Sequence, residues 1–338
     1  MARALPPDIT SIPLTGRTGR PTARRKPRKQ WKYREQFLGY LFIAPWFIGL
    51  LLFNAGPLAS TFYNSLTNFD LFSDPQWVGL QNYVRIFTRD GVFWQICRNM
   101  ALYMVGSTVI VIGGGLLFAV LLNRRFASNH FFRTVIYVPR LLVGVASGIL
   151  FKRIFASGEV GLLNVALGLL GIAPINWITD YDHLWHGMMT LILTNIWFIG
   201  GPMLIFLVGL KGIAPEYIEA AKIDGAGPWR TFFHVFLPLL SPAIVLNTIL
   251  VLIDQIQVFD IPLTFAQKDG SLSANSPLGY HDSLGTFLTY IYQQGFQLDN
   301  FGYASALAVV VFLITLVLTL LILWFSRRLS YYNELEKN

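Results

Sequence analysis

The 338-residue chain is 54% hydrophobic and only 13% charged, and its mean hydropathy is +0.52. Soluble domains carry about a quarter charged residues, so this composition indicates an integral membrane protein. The net charge of +8 does not indicate nucleic-acid binding, because the basic residues lie beside the apolar segments. The single cysteine, Cys97, excludes an internal disulfide and any cysteine-based metal or redox motif.

Residues 1–35 form a basic N-terminal extension that contains ten Lys and Arg residues. The extension has no apolar core, so we do not expect it to be a signal peptide. Its basic, proline-containing run at 24–29 predicts a solvated, disordered cytoplasmic segment. Contact with anionic lipid would anchor it, and a specific role in binding a partner is the alternative.

Six apolar segments are long enough to cross a bilayer, which takes roughly 20 residues per helix. They lie at residues 37–58, 100–122, 134–151, 188–210, 237–259 and 304–325. We therefore expect an all-α integral membrane protein with six transmembrane helices. Residues 36–98 would hold the first helix and an outer loop, 99–330 the transmembrane core, and 331–338 a cytoplasmic tail.

Basic residues indicate which side of the membrane each loop occupies, since cytoplasmic loops are enriched in Lys and Arg. With both ends inside, the cytoplasmic segments hold nineteen Lys and Arg residues and the outer segments hold six. Both termini are therefore expected in the cytoplasm.

The stretch 160–175, between the third and fourth spans, is apolar but short, and it contains glycines. We interpret it as an interfacial helix in the outer leaflet. The alternative, a seventh span, would put one terminus outside and remove the asymmetry of the basic residues.

The loop 211–238 carries the signals of a surface helix, a turn and a second helix. Pro215 suits the first turn of a helix, where no amide donor is needed, and Glu219 lies within reach of the positive helix end. Gly225 can take the left-handed conformation that ends a helix. Aromatic residues follow before Pro238 opens the next span. These features suit docking of a partner protein, and an ordinary interfacial loop is the alternative.

The same loop resembles the EAA loop of binding-protein-dependent ABC importer permeases. The resemblance is carried by Glu219-Ala220-Ala221, by Asp224 and Gly225, and by VFLP at 235–238. It implies that the short helix inserts into a groove on an ATPase subunit, where Glu219 pairs with a basic residue and Gly225 shapes the turn. The chain has no GxxxxGK(S/T) phosphate loop. We therefore expect no cofactor on this chain and expect ATP to be used by the partner ATPase.

Further resemblances, from about residue 36 to the end, are to carbohydrate permeases, above all the maltose-type large permease subunit. They are carried by VGLQNY at 78–83, GLLN at 161–164, PLGYHD at 277–282 and FGYASA at 301–306. Two departures leave the sugar open: the outer loop 59–97 lacks the domain inserted in some members, and 264–275 lacks a Gly-Gly-Pro turn. The resemblance implies the type I ABC importer permease fold in a prokaryotic cytoplasmic (inner) membrane.

The usual assembly of that family implies several partners. They are a second homologous permease, two copies of an ABC ATPase, an extracellular or periplasmic sugar-binding protein, and membrane lipid; nucleic acid is not expected. Transport would proceed by alternating access. Because such a subunit makes no chemical bond, we expect no enzymatic activity.

The resemblance places a sugar site midway through the membrane, on the fourth and fifth spans. The candidate contacts are Asn195, Trp197, Phe198, Asp254, Gln255 and Gln257. Gln255 and Gln257 are two residues apart, so at most one can face a ligand on a regular helix, whereas Asp254 and Gln257 share a face. For Asp254, pairing with another helix is the alternative. Arg140, which follows Pro139, would bind an anionic substrate, pair with a carboxylate, or cap the carbonyls around the proline.

Two other functions fit parts of the sequence. An ion-driven secondary transporter of a small polar solute would account for six spans and Asp254, but not for the EAA spacing. A membrane enzyme would use Asp182, His183 and His186 as an outward-facing acid–base group, although no nucleophile motif or metal spacing accompanies them. We expect neither catalytic residues nor a metal site, and we interpret the three glycines at 113–115 as a site of close helix packing.

Overall fold

The computed structural model describes residues 29–123, 128–142, 144–178, 185–267 and 276–329. Most of the basic extension, the tail at 331–338, and the candidate acid–base residues Asp182 and His183 lie outside the described residues. The chain divides into two compact units, residues 1–57 and residues 58–338.

Within the described ranges the structure is helical, and it has no β-sheet beyond one isolated bridge between Thr67 and Trp77. The all-α prediction is therefore confirmed. The α-helices are α1 (Lys29–Leu50), α2 (Gly56–Asn64), α3 (Gln81–Thr88), α4 (Gly91–Leu122), α5 (Asn129–Tyr137), α6 (Gly144–Ile154), α7 (Leu162–Gly168), α8 (Trp185–Thr194), α9 (Gly200–Lys211), α10 (Pro215–Ile223), α11 (Pro228–Thr231), α12 (Leu237–Leu239), α13 (Ser241–Ile256), α14 (Asp260–Ala266), α15 (Phe287–Tyr292) and α16 (Phe301–Leu329). Short π-helical turns lie at Leu51–Ala55, Phe232–Phe236 and Gln293–Gln297, and 3-10 turns at Val138–Leu141, Gly158–Val160, Asn195–Phe198 and Tyr280–Asp282.

Four helices are long and apolar enough to cross a membrane. They are Gln36–Asn64, Gly91–Leu122, Ser241–Ala266 and Phe301–Ser326. Two bent pairs qualify if each counts as one span: Asn129–Leu141 with Gly144–Ile154, bent by 101°, and Trp185–Phe198 with Gly200–Lys211, bent by 45°. The described chain therefore holds four to six apolar spans, in the regions where six were predicted.

The second and third spans differ from the predicted ones for local reasons. The second begins at Gly91, nine residues early, because the Asp90 side chain caps the helix by accepting a hydrogen bond from the Phe93 amide (3.0 Å). The third is broken near its middle, where Pro139 lies in a 3-10 turn and has no amide hydrogen to donate. A count of apolar residues detects neither a cap nor a break.

The fourth and fifth predicted spans are also interrupted. The fourth changes direction between α8 and α9, where a 3-10 turn is followed by the pair Gly200-Gly201. The fifth begins at Ser241 and not at residue 237, because the proline-containing α12 is a separate short helix. It is interrupted again after Ile256, before α14 begins at Asp260.

Helix α1 lies in the first unit and exposes large apolar side chains, among them Phe42 and Trp46. Exposed apolar side chains on a helix whose backbone groups are paired internally suit contact with lipid.

Helix α4 runs through the second unit and packs against α8, α9 and α13. Two glycines permit this contact, because a Cβ on Gly114 would lie 2.6 Å from Ile199 Cδ1 and one on Gly115 would lie 2.9 Å from Pro202 Cβ. A Cβ on Gly113 would meet open space. The predicted close packing is therefore confirmed for two of the three glycines.

The two ends of α4 are fixed differently. At its C-terminal end, Leu122 packs with Phe206 and Leu240 in a buried apolar cluster. At its N-terminal end, the Asp90 carboxylate accepts hydrogen bonds from the hydroxyl of Tyr290 (2.5 Å) and from that of Tyr303, which ties α4 to α15 and α16. Burial and the hydrogen bond to Asp90 raise the pKa of Tyr290, so its hydroxyl stays a donor at any physiological pH.

The buried side chain of Asn164 organises the connection between α6 and α8. Its amide nitrogen donates to the carbonyls of Gly158 (2.9 Å), Ile175 (2.9 Å) and Ala156 (3.3 Å). Its oxygen accepts from the Ile175 amide (3.1 Å) and the Trp177 indole (2.8 Å). One side chain thus satisfies five backbone and ring groups that no regular element would pair.

The segment predicted to be an interfacial helix contains only the seven-residue α7. Large apolar side chains of the segment 160–175, including Val160, Leu169 and Leu170, are exposed. An exposed apolar surface suits an element at a membrane interface, and its place in the outer leaflet stays a prediction.

Candidate functional site

The EAA loop, residues 211–238, begins with α10. Pro215 occupies the first helical turn, as predicted, and Ala214 before it has extended backbone angles. No residue of α10 is buried. Glu219 and Ala220 are exposed, and Glu219 forms no ion pair with any residue that the structure describes. Helix α10 therefore presents a carboxylate and small side chains on the surface of the protein.

Helix α10 ends in a turn that requires a left-handed residue. Gly225 has φ +74°, its amide donates to the Lys222 carbonyl (3.0 Å), and the Ala226 amide donates to the Ala221 carbonyl (2.8 Å). These two bonds define a Schellman motif. The predicted positive φ at Gly225 is confirmed, and a Cβ there would meet no atom of this chain within 4 Å.

The second half of the loop differs from the single helix that was predicted. α11 gives way to a π-helical turn and then to α12, which contains the exposed Pro238. The rings of Trp229 and Phe233 stack with centroids 6.3 Å apart, and Trp229 is 77% exposed. Phe236 instead packs against the buried cluster around Leu240. The aromatic residues of this half are thus divided into an exposed pair and a ring that packs inward.

An exposed apolar surface therefore flanks the carboxylate of Glu219. Ile223, the last residue of α10, is 86% exposed, and Tyr217 and Phe233 are exposed as well. Exposed apolar groups beside a charge on a well-defined helix are typical of a protein-binding surface.

The candidate sugar contacts on the fourth span point into the protein. Asn195 is buried, and its amide donates to the Tyr103 hydroxyl (3.2 Å) and to the Leu191 carbonyl (3.0 Å). The Trp197 ring meets Phe151 edge to face at 5.3 Å, and its buried indole nitrogen has no partner within the described residues. Phe198 is half-buried. In this conformation these residues pack α8 against its neighbours.

Gln255, on the fifth span, is likewise buried against α4. In the orientation that satisfies both ends of its amide, the nitrogen donates to Thr108 Oγ1 (3.1 Å) and to the Met104 carbonyl (3.2 Å), and the oxygen accepts from the Thr108 amide (3.2 Å). Gln257, two residues on, is exposed. The two glutamines therefore face in different directions, as helix geometry predicted.

Asp254 lies on the exposed side with Gln257 and pairs with Arg140. Arg140 Nη2 is 3.4 Å from Asp254 Oδ2, and the two side chains are 38% and 66% exposed. The guanidinium lies against Gly201, where a Cβ would fall 1.9 Å from Nη1. Both residues thus take the pairing alternative that the sequence left open, and Gly201 supplies the space. The sequence did not reveal this pair, because its members are 114 residues apart.

The structure also defines the PLGYHD stretch at 277–282, which no local pattern explained. His281 (φ +46°) and Asp282 (φ +58°) have left-handed backbones. Their carbonyls accept hydrogen bonds from Gln95 (2.6 Å) and Asn99 (2.9 Å) of α4. Burial raises the pKa of Asp282, and Asp90 adds to the effect, while His281 opposes it. The stretch is therefore held in a strained shape at one end of the bundle.

The helices of the second unit, the EAA loop and Asp254 lie in a region of the sequence that matches one protein family. Residues 91–331 match the family described as "Binding-protein-dependent transport system inner membrane component". The chain belongs to this family. The match covers α4 to the end of α16, so it includes the EAA loop and both halves of the Arg140–Asp254 pair.

Relatives of this permease agree with the assignment. The probable ABC transporter permease protein YesP of Bacillus subtilis (strain 168) is 34% identical over 90% of this chain and 95% of its own. The arabinooligosaccharides transport system permease protein AraP of the same strain is 30% identical over 93% and 97%. Both are transport permeases and not enzymes. The resemblance to importer permeases is therefore confirmed, and the protein is a multi-pass membrane permease.

A solved structure shares the fold of this permease. A bacterial alginate ABC transporter, crystallised in complex with alginate pentasaccharide-bound periplasmic protein, contains a chain that superposes with a TM-score of 0.75. The superposition covers 90% of this chain and 99% of that one, at 20% sequence identity. The arrangement of helices is thus that of an ABC importer permease.

Proposed function

We propose that this permease moves a sugar or oligosaccharide across the cytoplasmic membrane by alternating access, driven by a separate ATPase that docks on the EAA loop. The observation that carries the proposal is the EAA loop itself, an exposed helix that ends in a Gly225 turn. The similarity to AraP, an arabinooligosaccharides transport system permease protein, supports a carbohydrate cargo.

Coupling would proceed through contacts of α10 with the ATPase. Glu219 would meet a basic side chain in a groove of that subunit, while Ala220 and Ala221 allow close approach. Asp224 and Gly225 would set the turn, and Pro238 would transmit movement to the fifth span. Closure of the ATPase dimer on binding ATP would then shift the helices that follow the loop.

The working complex would hold this permease, a second homologous permease, two copies of the ABC ATPase, and an external sugar-binding protein, all within membrane lipid. ATP would bind the ATPase subunits, and this chain would hold no cofactor. The binding protein would deliver the sugar outside, ATP binding would open the path to it, and hydrolysis would reset the path toward the cytoplasm.

The path for the sugar would border the exposed face that carries Asp254 and Gln257. Ionisable groups within a bilayer are costly unless they face a cavity or a partner. Asn195, Trp197, Phe198 and Gln255 lie beneath this face, and they would reach a sugar only if the interrupted helices around them rearranged. The unpartnered indole nitrogen of Trp197 is the group most ready to make such a contact.

Uptake into vesicles tests the proposed function. Right-side-out vesicles that contain the complete complex and enclose ATP should accumulate labelled oligosaccharide only when the binding protein is present outside. Removal of ATP while an ion gradient is maintained should abolish uptake. Continued uptake on the gradient alone would favour the ion-driven secondary transporter instead.

Six spans with both termini in the cytoplasm complete the proposal. Counting each bent pair as one span gives the even number that this topology needs. A reporter that is active only in the cytoplasm should be active when fused after residue 338 or in the EAA loop, and inactive after residue 170. Activity of a reporter that works only outside the cytoplasm, fused at residue 338, would contradict this topology.

A further inference from the structure

We infer that Asp254 is a specificity-determining residue, because it neutralises Arg140 and so keeps acidic sugars from binding in the path. This inference rests on the proposed function, and it adds that the cargo is an uncharged sugar. The feature that carries it is the ion pair at the centre of interrupted spans.

Counted in residues, the ion pair lies near the middle of both apolar segments. Asp254 is thirteen residues from the start of Ser241–Ala266 and twelve from its end. Arg140 is eleven residues after the start of the bent pair Asn129–Ile154 and fourteen before its end. Charged side chains at this depth need a partner or water. Arg140 and Asp254 are each other's partner, although both side chains remain partly exposed.

The exposed face of the fifth span changes character at this depth. Leu246, Leu250 and Asp254 follow one another at intervals of four residues, so they share one face of α13. Leu246 and Leu250 are exposed and suit lipid or an apolar partner. Asp254, Gln257 and then Asp260 are exposed and polar. The change from apolar to polar indicates that this half of the face borders an aqueous path.

The positive charge of Arg140 is already paired with a carboxylate, although the side chain is partly exposed. It is held from one side by Asp254 and from the other by Gly201, where no larger residue would leave room for it. Asp260 adds a carboxylate that lies against Gly144 and forms no ion pair within the described ranges. Among the described residues of this face, an acidic sugar would therefore find no unpaired cation and would meet the like charge of Asp260, which is unfavourable.

The hydroxyl groups of a neutral sugar are not repelled by the carboxylates of this face. A carboxylate oxygen accepts a hydrogen bond from a sugar hydroxyl, and the Gln257 amide both donates and accepts. The face is thus chemically suited to neutral sugars.

Binding of a matched pair of sugars to the purified permease–ATPase complex in nanodiscs tests the inference. Trigalacturonate and galactotriose of the same linkage differ only in that each of the three sugars carries a carboxylate or a hydroxymethyl group. Omission of the binding protein removes its own selectivity. Asp254→Asn keeps the size of the side chain but releases Arg140. We expect it to raise the affinity for trigalacturonate at least about tenfold, roughly what one charge contributes in such a site, and not to raise the affinity for galactotriose, because the amide is a weaker acceptor than the carboxylate.

Two variants complete the design. The double variant Arg140→Gln/Asp254→Asn should lose the increased affinity for trigalacturonate. Asp74→Asn removes the same charge from an exposed loop and should not increase that affinity. Trigalacturonate binding that is equal in the wild type and Asp254→Asn, or that persists in the double variant, would overturn the inference. Failure of the complex to take up any sugar with ATP would instead contradict the proposed function, whatever the result with trigalacturonate.

Discussion

Gly225→Asp and Glu219→Lys are expected to leave the permease in the membrane at normal abundance and to abolish its stable binding to the ATPase. Gly225 has φ +74°, and a residue with a Cβ is strained there by about 1 kcal/mol or more. No atom of this chain would obstruct that Cβ, so an aspartate would point outward, next to Asp224, into the surface that a partner must approach.

Glu219→Lys acts through charge. Glu219 is exposed and unpaired among the described residues, so lysine disturbs nothing within the chain. In a partly desolvated contact with a basic groove, however, attraction becomes repulsion. We expect co-purification of the ATPase to fall at least about tenfold for each variant, equivalent to about 1.4 kcal/mol. Hydrolysis stimulated by binding protein and sugar should be lost in parallel.

The loop offers a matched control for each change. Gly227 has an ordinary φ of −70°, open space around its Cβ, and the capping position of α11, where aspartate is favourable. Gly227→Asp should therefore keep far more ATPase than Gly225→Asp. Glu216→Lys repeats the charge reversal one turn earlier on α10 and should have the smaller effect. A reversed charge in the groove of the ATPase should partly rescue Glu219→Lys.

Normal co-purification and full stimulated hydrolysis in both Gly225→Asp and Glu219→Lys would show that this loop is not the coupling element. Equal losses in Gly225→Asp and Gly227→Asp would instead assign the effect to added charge on the surface and not to the turn.

The second large effect is expected from Asn164→Asp, which should destabilise the permease. Aspartate keeps the shape of the side chain and its acceptor oxygen, but it replaces the amide donor with a second acceptor oxygen. The carbonyls of Ala156, Gly158 and Ile175 would then face a carboxylate. Each buried group left without its hydrogen bond costs about 1–3 kcal/mol, so the connection between α6 and α8 should unfold locally.

Protease sensitivity of this connection and thermal unfolding in detergent measure the loss. Asn68→Asp is the matched control, because Asn68 is exposed and its oxygen accepts from the Gln76 amide (2.9 Å), which aspartate can also do. Asn68→Asp should unfold at the wild-type temperature, and Asn164→Asp should unfold several degrees lower. Equal stability of the two variants would mean that the bonds of Asn164 contribute little.

The sequence by itself determined the features that depend on neighbouring residues. The number of apolar residues in a row identified the membrane class, and spacing within one loop identified the EAA motif. Pro215 at the start of α10 and Gly225 at its end were predictable because proline and glycine restrict or free the backbone at their own positions. These signals depend on only a few neighbouring residues, so they can be recognised without knowledge of the fold.

The tertiary structure decided which side chains face one another. The predicted sugar contacts Asn195 and Gln255 face Tyr103 and Thr108 of α4 in this conformation, and their contact with a sugar stays a prediction. Arg140 and Asp254 meet although they are far apart in the chain. Hydropathy gives the length of a span but not its rotation or its breaks, because these depend on the helices packed beside it. The pairing of Arg140 with Asp254, and the specificity inferred from it, therefore became visible only in three dimensions.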